Sequence, residues 1–251
     1  MKRIRLTIAY DGTNYCGWQI QNNAITVEEE LTKALHRLLR EETEVIGASR
    51  TDSGVHAMGN VAVFDTETRI PPEKIAIALN HYLPEDIRVQ RSELVADDFH
   101  PRYCDSVKTY EYTVLNTRIE DPVRRKYTYH VFDPLDICVM REAAEILVGT
   151  HDFSAFCSAG SQVKSKIRTI NELFVEERVV LNGSEGREIV IRVSGNGFLY
   201  NMVRIIAGTL IEAGQGRRSV ASVQETLMTG ERSKAGPTAP AHGLMLMGIR
   251  Y

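Results

Sequence analysis

The chain lacks the features that define several large classes of proteins. None of its apolar runs approaches the eighteen or so residues of a membrane-spanning helix, so no membrane association is expected. Its four cysteines lie far apart with no C-x-x-C pair, which argues against a zinc site and against a disulfide scaffold. The opening MKRIRLTIAYDG alternates charged and apolar residues as a strand does, unlike a signal peptide. Together these absences predict a protein of the reducing cytoplasm.

Several short catalytic and ligand-binding motifs are also missing. The segment GERSKAG at 230–236 lacks the spacing of a phosphate-binding P-loop, and GNGFLY at 195–200 is not a dinucleotide-binding glycine motif. The histidines show no zinc-finger or H-x-x-x-H spacing, and no G-x-S-x-G nucleophile elbow occurs. GNGFLY does not match the aromatic pattern of RNA-recognition modules either. The residues therefore predict a protein without a metal or a cofactor.

Charge does not identify a partner. The formal net charge is -3, whereas a nucleic-acid partner would ordinarily suggest a basic domain. Basic residues are nevertheless clustered, and acidic residues gather elsewhere, as in EEE at 28–30. Most charge runs are solvated faces, so the charge neither supports nor excludes RNA. The basic clusters are KRIR at 2–5, RRK at 124–126, KSKIR at 164–168 and GRRS at 216–219.

The first hundred residues have the order of a ferredoxin-like unit. Alternating apolar residues predict a strand over 3–10, and Thr26 followed by Glu29 is the signature of a helix N-terminus. Further strands are predicted over 44–48, 60–66 and 87–95, and a second helix over 71–83. The resulting order, β-α-β-β-α-β, is that of the ferredoxin-like motif.

The second half repeats this kind of organisation less regularly. Strands are predicted over 107–115, 126–132, 167–181, 187–194 and 243–250, and helices over 136–149, 198–213 and 219–229, the first of them closed by Gly149. We predict an α+β fold of two ferredoxin-like (RRM-like) halves, 1–103 and 104–251. They are expected to share a central, mostly antiparallel sheet with helices on one face, and to enclose an active-site cleft.

One polar turn and one helix carry unusual charged residues. The turn ASRTDSGVHAMG at 48–59 contains Arg50 and Asp52, although Asp, Ser and Gly alone suffice to form such a turn. In the helix predicted over 198–213, the apolar residues share one face and Arg204 lies outside it. From these residues alone, a structural turn and an exposed arginine are the simpler interpretations.

Six ordered blocks resemble the TruA family of tRNA pseudouridine synthases, and together they span nearly the whole chain. Departures from the family pattern are Ser49, Ser53 and Met245, where Gly, Ala and an aromatic residue are common, and a short spacer between the halves. The blocks are IAYDGTNYCGWQIQ at 8–21, GASRTDSGVHAMGNVAVF at 47–64, DFHPRYCDSVKTYEYTVLN at 98–116, HDFSAFC at 151–157, GNGFLYNMVRIIAGTLIEAG at 195–214 and GPTAPAHGLMLM at 236–247.

The resemblance implies a role for five residues. Asp52 is implied as the catalytic carboxylate, and Arg204 as the cation that pairs with it and keeps it ionised. Tyr110 is expected to stack on the uracil, and Leu244 to line the base pocket. Arg50 is expected to fill the space of an extruded nucleotide. His56 is expected only to shape the turn.

The implied function is isomerisation of uridine to pseudouridine in the anticodon arm of tRNA, at positions 38, 39 and 40. The resemblance implies no metal and no cofactor, a homodimer, and basic clusters that line a tRNA groove. A catalytically silent RNA-binding module on the same fold is the alternative, and the presence of Asp52, Tyr110 and Arg204 argues against it. A nucleoside hydrolase or glycosylase would release free base, and nothing in the sequence matches its metal-binding acidic clusters.

Overall fold

The computed structural model describes residues 1–161, 163–179 and 186–251, which form two units. The first unit comprises Met1–Ser106 with Met245–Tyr251, and the second comprises Val107–Leu244. The predicted boundary at 103/104 placed the last strand in the second half. The structure instead places this strand in the first unit, because it pairs in parallel with a strand of that unit through Met245↔His56 and Leu246↔Ala57.

The first unit has the predicted β-α-β-β-α-β order. Its central strand β1 is antiparallel to both β3 and β4, while β2 and β10 pair with β3. The bounds are β1 Lys2–Tyr10, α1 Val27–Leu39, β2 Ile46–Gly47, β3 His56–Thr66, α2 Pro72–Leu79, β4 Ile87–Val95 and β10 Leu244–Arg250.

Alternating apolar residues explain strand β1, and a side-chain cap explains the start of helix α1. In β1 every second side chain from Ile4 to Tyr10 is buried, as the apolar alternation predicts. Helix α1 begins where the Thr26 hydroxyl accepts a hydrogen bond from the backbone N–H of Glu29, which confirms the predicted cap. The helix ends at Leu39, and the next residue, Arg40, caps it in the left-handed conformation. The strand predicted over 44–48 is reduced to the two residues of β2.

The second unit is built on an antiparallel sheet in which β9 lies between β5 and β8. Strand β7 extends this sheet beside β8, and β6 pairs in parallel with β5. The α+β class and the mostly antiparallel pairing are thus found in both units. The bounds are β5 Val107–Thr117, β6 Tyr129–Val131, α3 Ile137–Glu145, β7 Gly149–Asp152, β8 Ile167–Val179, β9 Gly186–Gly195, α4 Met202–Gly214 and α5 Val220–Thr229.

Three predictions for the second unit differ from the structure. Gly149 does not close a helix: α3 ends at Glu145, and Gly149, with φ +111°, begins β7. The helix predicted from residue 198 begins at Met202, because Asn201 has a left-handed φ of 59°. The strand predicted over 126–132 is shortened to β6. Residues 180 and 181 of the strand predicted over 167–181 lie outside the described residues.

Helix α4 is buried on nearly all sides. All its residues are described, and all except Arg204 and Glu212 are buried or nearly so, so its apolar face is wider than the predicted stripe. A Cβ atom added to Gly208 would lie 2.0 Å from the carbonyl oxygen of Pro237, which shows how closely the 235–239 segment packs on the helix. Glycine at this position is therefore a packing requirement. No helix in the described part of the chain is long and apolar enough to cross a membrane.

Gly208→Ala tests this packing. Helix propensity alone favours alanine by about 1 kcal/mol. The clash with a backbone oxygen should outweigh that gain, and we expect a net loss of about 1–3 kcal/mol in the free energy of unfolding, measured by urea denaturation. Gly248→Ala is the matched control, because its added Cβ meets no atom within 4 Å; its change should stay within about 0.5 kcal/mol. Equal unfolding midpoints for the two variants would contradict the packing argument.

Candidate active site

Arg50 and Asp52 lie on one tight turn between β2 and β3. The backbone N–H of Val55 donates to the carbonyl oxygen of Asp52 at 3.1 Å, and Gly54 provides the positive φ of 76° that the turn needs. Arg50 is exposed, whereas Asp52 is half-buried. The turn therefore presents a guanidinium and a carboxylate close together in the chain.

Buried polar side chains fasten this turn to the first sheet. The hydroxyl groups of Tyr10 and Thr51 are 2.7 Å apart, and the Asn60 amide donates to the Tyr10 hydroxyl at 3.3 Å. The same amide nitrogen donates to the carbonyl oxygen of Ser49 at 3.0 Å. All four residues are less than 10% exposed. Buried groups that satisfy one another in this way hold a single geometry, because leaving any of them unpaired is unfavourable.

The segment that follows β1 supports the turn from a second side. The carbonyl oxygen of Tyr15 accepts hydrogen bonds from the Gly54 N–H at 3.2 Å and from the Ser53 hydroxyl at 3.3 Å. A Cβ atom added to Gly12 would lie 2.0 Å from the carbonyl oxygen of Val55, and one added to Gly17 would lie 2.6 Å from that of Thr51. Two glycines thus allow this segment to approach the backbone of the turn closely.

His56 is a structural residue of the same region. Its ring is 1% exposed, and its Nδ1 accepts a hydrogen bond from the Gly12 N–H at 3.0 Å. The Asp11 carboxylate lies 3.2 Å from the same nitrogen. These contacts join the first residue of β3 to the segment after β1, which agrees with the prediction that His56 shapes the turn.

Tyr110 lies in the second unit, on β5. Its side chain is 7% exposed and makes an edge-to-face contact with Phe198, with the ring centroids 5.3 Å apart and the planes at 86°. This contact favours one orientation of the Tyr110 ring. Sequence reasoning did not select Phe198 as a site residue; its only signal was membership of the GNGFLYNMVR block.

Arg204 projects from the first turn of α4 and is held at two nitrogens. Its Nε donates to the carbonyl oxygen of Ala239 at 2.7 Å, and its Nη1 donates to Oδ1 of Asn201 at 2.9 Å. Two bonds on different nitrogens fix the plane of the guanidinium. Arg204 is half-buried, and the simpler interpretation of an exposed arginine is wrong.

Tyr112 and His242, on which the charge of Arg204 acts, have shifted pKa values. Burial raises the pKa of Tyr112 well above its usual value, and the Tyr112 hydroxyl donates to the carbonyl oxygen of Pro240 at 2.9 Å. Burial also lowers the pKa of His242, and the positive charge of Arg204 acts in the same direction. The guanidinium therefore lies in a partly desolvated region, where its charge acts more strongly than in water.

Leu244 directly follows the short turn Ala241–Gly243, which packs against Tyr112. Leu244 is 5% exposed, and Gly243 packs on the Tyr112 ring so closely that an added Cβ would lie 2.7 Å from Cζ. Tyr110 and Tyr112 point to the same face of β5 because they are two residues apart. The second unit thus gathers the segments that carry Tyr110, Arg204 and Leu244. The pairing of Arg204 with Asp52, which lies in the first unit, stays a prediction.

Many residues of the predicted basic clusters are neutralised by carboxylates. Arg3 pairs with Asp65 at 2.7 Å, and this contact lowers the pKa of Asp65. Other members also form ion pairs with carboxylates, whereas Arg125 and Lys164 are exposed. The clusters therefore offer less free positive charge to a phosphate backbone than their sequences suggest. The further pairs are Arg5–Glu93, Arg124–Glu188, Arg217–Asp133 and Arg218–Glu212.

Residues suited to metal binding are dispersed. Within the described ranges, histidine, cysteine and carboxylate side chains form no group of three or more that could hold a metal ion. All four cysteines are free thiols, and Cys157 is the buried one among them. We assign no metal ligands to this chain.

Similarity to known proteins shows the family of this chain. The family model for tRNA pseudouridine synthase matches residues 6–104 and 143–251. The chain belongs to the tRNA pseudouridine synthase family. It is 47% identical over 251 residues to the tRNA pseudouridine synthase A of Thermoanaerobacter sp. (strain X514), and 46% identical to those of Clostridium acetobutylicum and Brevibacillus brevis. Each alignment covers 100% of both chains.

One solved structure, the archaeal box H/ACA sRNP Nop10–Cbf5 complex, has a weak likeness to the chain. The TM-score is 0.32 at 12% identity, and the match covers 97% of this chain and 46% of that chain. A score this low carries no information on function. Membership of the family, whose enzymes are isomerases that convert uridine to pseudouridine, rests on the full-length relatives and the family model.

Tyr10→Phe tests the network beneath the turn of this family member. The variant keeps the ring but leaves the Thr51 hydroxyl and the Asn60 amide without their shared partner. We expect a loss of about 1–3 kcal/mol in the free energy of unfolding, measured by urea denaturation. Tyr82→Phe, which removes a hydroxyl from a side chain that is 43% exposed, serves as the control and should leave the midpoint unchanged. If both variants unfold at the wild-type midpoint, the network does not stabilise the turn.

Proposed function

We propose that this chain isomerises uridine to pseudouridine in tRNA, in the anticodon stem-loop at positions 38, 39 and 40. The observation that carries the proposal is the full-length similarity to enzymes named tRNA pseudouridine synthase A. The intact Arg50-Thr51-Asp52 turn, held by buried hydrogen bonds, supports it from the structure. The enzyme is proposed to act in the cytoplasm.

The reaction rearranges the bond between uracil and ribose. The bond from C1′ to N1 breaks, the uracil turns, and a bond from C1′ to C5 forms. The proton on C5 leaves and N1 gains one, so the product is an isomer and no oxidant is needed. A carboxylate serves this reaction either as the nucleophile at C1′ or by promoting a glycal route, and we propose Asp52 for this role.

Arg204 is proposed as the cation that keeps Asp52 ionised. A nearby positive charge lowers the pKa of a carboxyl group, and the effect is strong where water is excluded. The support is that the Arg204 guanidinium is fixed by Asn201 and Ala239 and lies in a partly desolvated region. A fixed guanidinium loses little entropy when it engages a carboxylate.

The other three residues are proposed to hold the nucleotide. Tyr110 offers a ring, oriented by its contact with Phe198, on which the uracil can stack, and Leu244 supplies an apolar wall. Arg50, exposed at the tip of the turn, is proposed to occupy the space that the target nucleotide leaves when it swings out of its stack.

Asp52→Asn separates the enzyme from a silent RNA-binding module. The amide keeps the size of the side chain but removes the charge and the nucleophile. We expect release of tritium from tRNA labelled at C5 of uridine to fall at least about a thousandfold, a loss of the size seen when an essential catalytic group is removed. Binding of tRNA should persist, because phosphate contacts made elsewhere supply most of the affinity. Asp97→Asn, an exposed carboxylate, is the control and should keep wild-type activity.

Three outcomes of this experiment are distinct. Tritium release by Asp52→Asn near the wild-type rate would show that Asp52 is only a turn residue. Absence of release from the wild-type protein, with tRNA bound, would indicate the silent module. Free uracil in place of pseudouridine, seen by chromatography of the digested nucleosides, would indicate a glycosylase.

We further propose that the enzyme is a homodimer with a tRNA groove lined by basic residues. The resemblance supports the dimer, since one short chain offers little surface for a whole tRNA. The exposed Arg125 and Lys164 are candidates for phosphate contacts. We expect a dimer in sedimentation at micromolar concentration and a tRNA affinity that falls steeply with salt. A fully active monomer would contradict the dimer.

A further inference from the structure

Asn201 uses both ends of its side-chain amide to connect Arg204 to another segment of the second unit. Its Oδ1 accepts the hydrogen bond from Nη1 of Arg204 at 2.9 Å. Its Nδ2 donates to the hydroxyl oxygen of Ser158, also at 2.9 Å. The backbone N–H of Ser158 in turn donates to the carbonyl oxygen of Tyr200 at 3.1 Å, so the partner of the amide is itself held.

The backbone of Asn201 is unfavourable for most residues. With φ 59° and ψ 10° it lies in the left-handed region, one of three such positions outside glycine within the described ranges. Asparagine tolerates this region better than other side chains do. This conformation ends the preceding loop and allows the amide to meet Arg204, which lies three residues further along the chain.

Asn201 also does not cap its own helix. The side chains of Thr26, Asp136 and Ser219 each accept a hydrogen bond from the first turn of α1, α3 and α5, respectively. Asn201 occupies the equivalent position of α4 without such a bond. Its oxygen therefore serves the guanidinium of Arg204 instead of the backbone of the helix.

We infer that Asn201 is a positioning residue for the isomerisation and acts through Arg204. The inference rests on the proposed role of Arg204 beside Asp52. The Ala239 carbonyl holds Nε, and Asn201 holds Nη1. Loss of the bond from Asn201 removes one of the contacts that orient the guanidinium. A cation of variable orientation lowers the pKa of a carboxylate less effectively and stabilises it less during reaction.

Asn201→Gly removes the amide but permits the same backbone conformation. We expect the single-turnover rate of pseudouridine formation to fall about 10- to 100-fold, as for the loss of one hydrogen bond to a charged group. The dissociation constant for tRNA should change less than about twofold, because phosphate contacts dominate affinity. Asn23→Gly is the matched control: Asn23 also has a left-handed φ, of 72°, and is exposed. It should react at the wild-type rate.

A double-mutant cycle with Arg204→Ala distinguishes positioning from a structural role. If Asn201 acts through Arg204, adding Asn201→Gly to Arg204→Ala should slow the reaction no further. The acidic limb of the pH–rate profile of Asn201→Gly should also move to higher pH, because a carboxylate with a weaker cation has a higher pKa. Thermal unfolding and circular dichroism of each variant verify the fold.

The outcomes separate this inference from the proposed function. Additive effects in the cycle, or a wild-type rate for Asn201→Gly, would overturn the role of Asn201 while leaving Arg204 and Asp52 in place. A wild-type rate for Arg204→Ala would overturn both the pairing and the inference. Activity in Asp52→Asn would overturn the role of Asp52, whereas failure of the wild-type protein to form pseudouridine would overturn the proposed function itself. A non-additive cycle with the expected pH shift establishes Asn201 as a positioning residue.

Discussion

The turn that carries Asp52 depends on one constraint: the segment after β1 must approach its backbone without any intervening side chain. Gly12 and Gly17 make this approach possible, since a Cβ atom at either position would overlap a carbonyl oxygen of the turn. The buried hydroxyl groups of Tyr10 and Thr51 then bond across the contact. A loop of this kind, fixed to a sheet through buried polar groups, can present a carboxylate reproducibly. Catalysis gains from that order, because a misplaced group loses most of its effect.

In the second unit, the charged group of Arg204 is also held in place, but by different contacts. Arg204 lies on a helix that is buried on nearly every side, so the packing of that helix fixes the position of the Arg204 Cα atom. Its guanidinium is then oriented by a backbone carbonyl and by an asparagine in an unusual conformation. The close approach of the 235–239 segment at Gly208 and Gly236 brings the carbonyl of Ala239 within reach of Nε. Small residues near each charged group are therefore part of the site, although they take no part in the chemistry.

The sequence correctly predicted the helices and strands that local residue patterns determine. Strand β4 has the predicted bounds, α1 begins at its predicted cap, and the order of elements in the first unit is confirmed. The predictions are wrong where a contact between residues far apart in the sequence determines the structure. Gly149 is typical of a helix terminus, yet it begins a strand because β7 pairs with β8. The start of α4 was misplaced because the left-handed backbone of Asn201 has no signature in hydrophobic periodicity.

For the candidate site, residue type and family resemblance identified the side chains that are proposed to contact the substrate. They identified few of the groups that hold those side chains in place. Asp52, Tyr110 and Arg204 have side chains suited to recognisable chemistry. Their supports are frequently backbone atoms, such as the carbonyl oxygens of Tyr15 and Ala239, and any amino acid can supply these. Other supports, such as Asn60 and Ser158, are ordinary polar residues far along the chain from the groups they serve. Only the fold brings such pairs together, so the order within the site is visible in the structure and not in the sequence pattern.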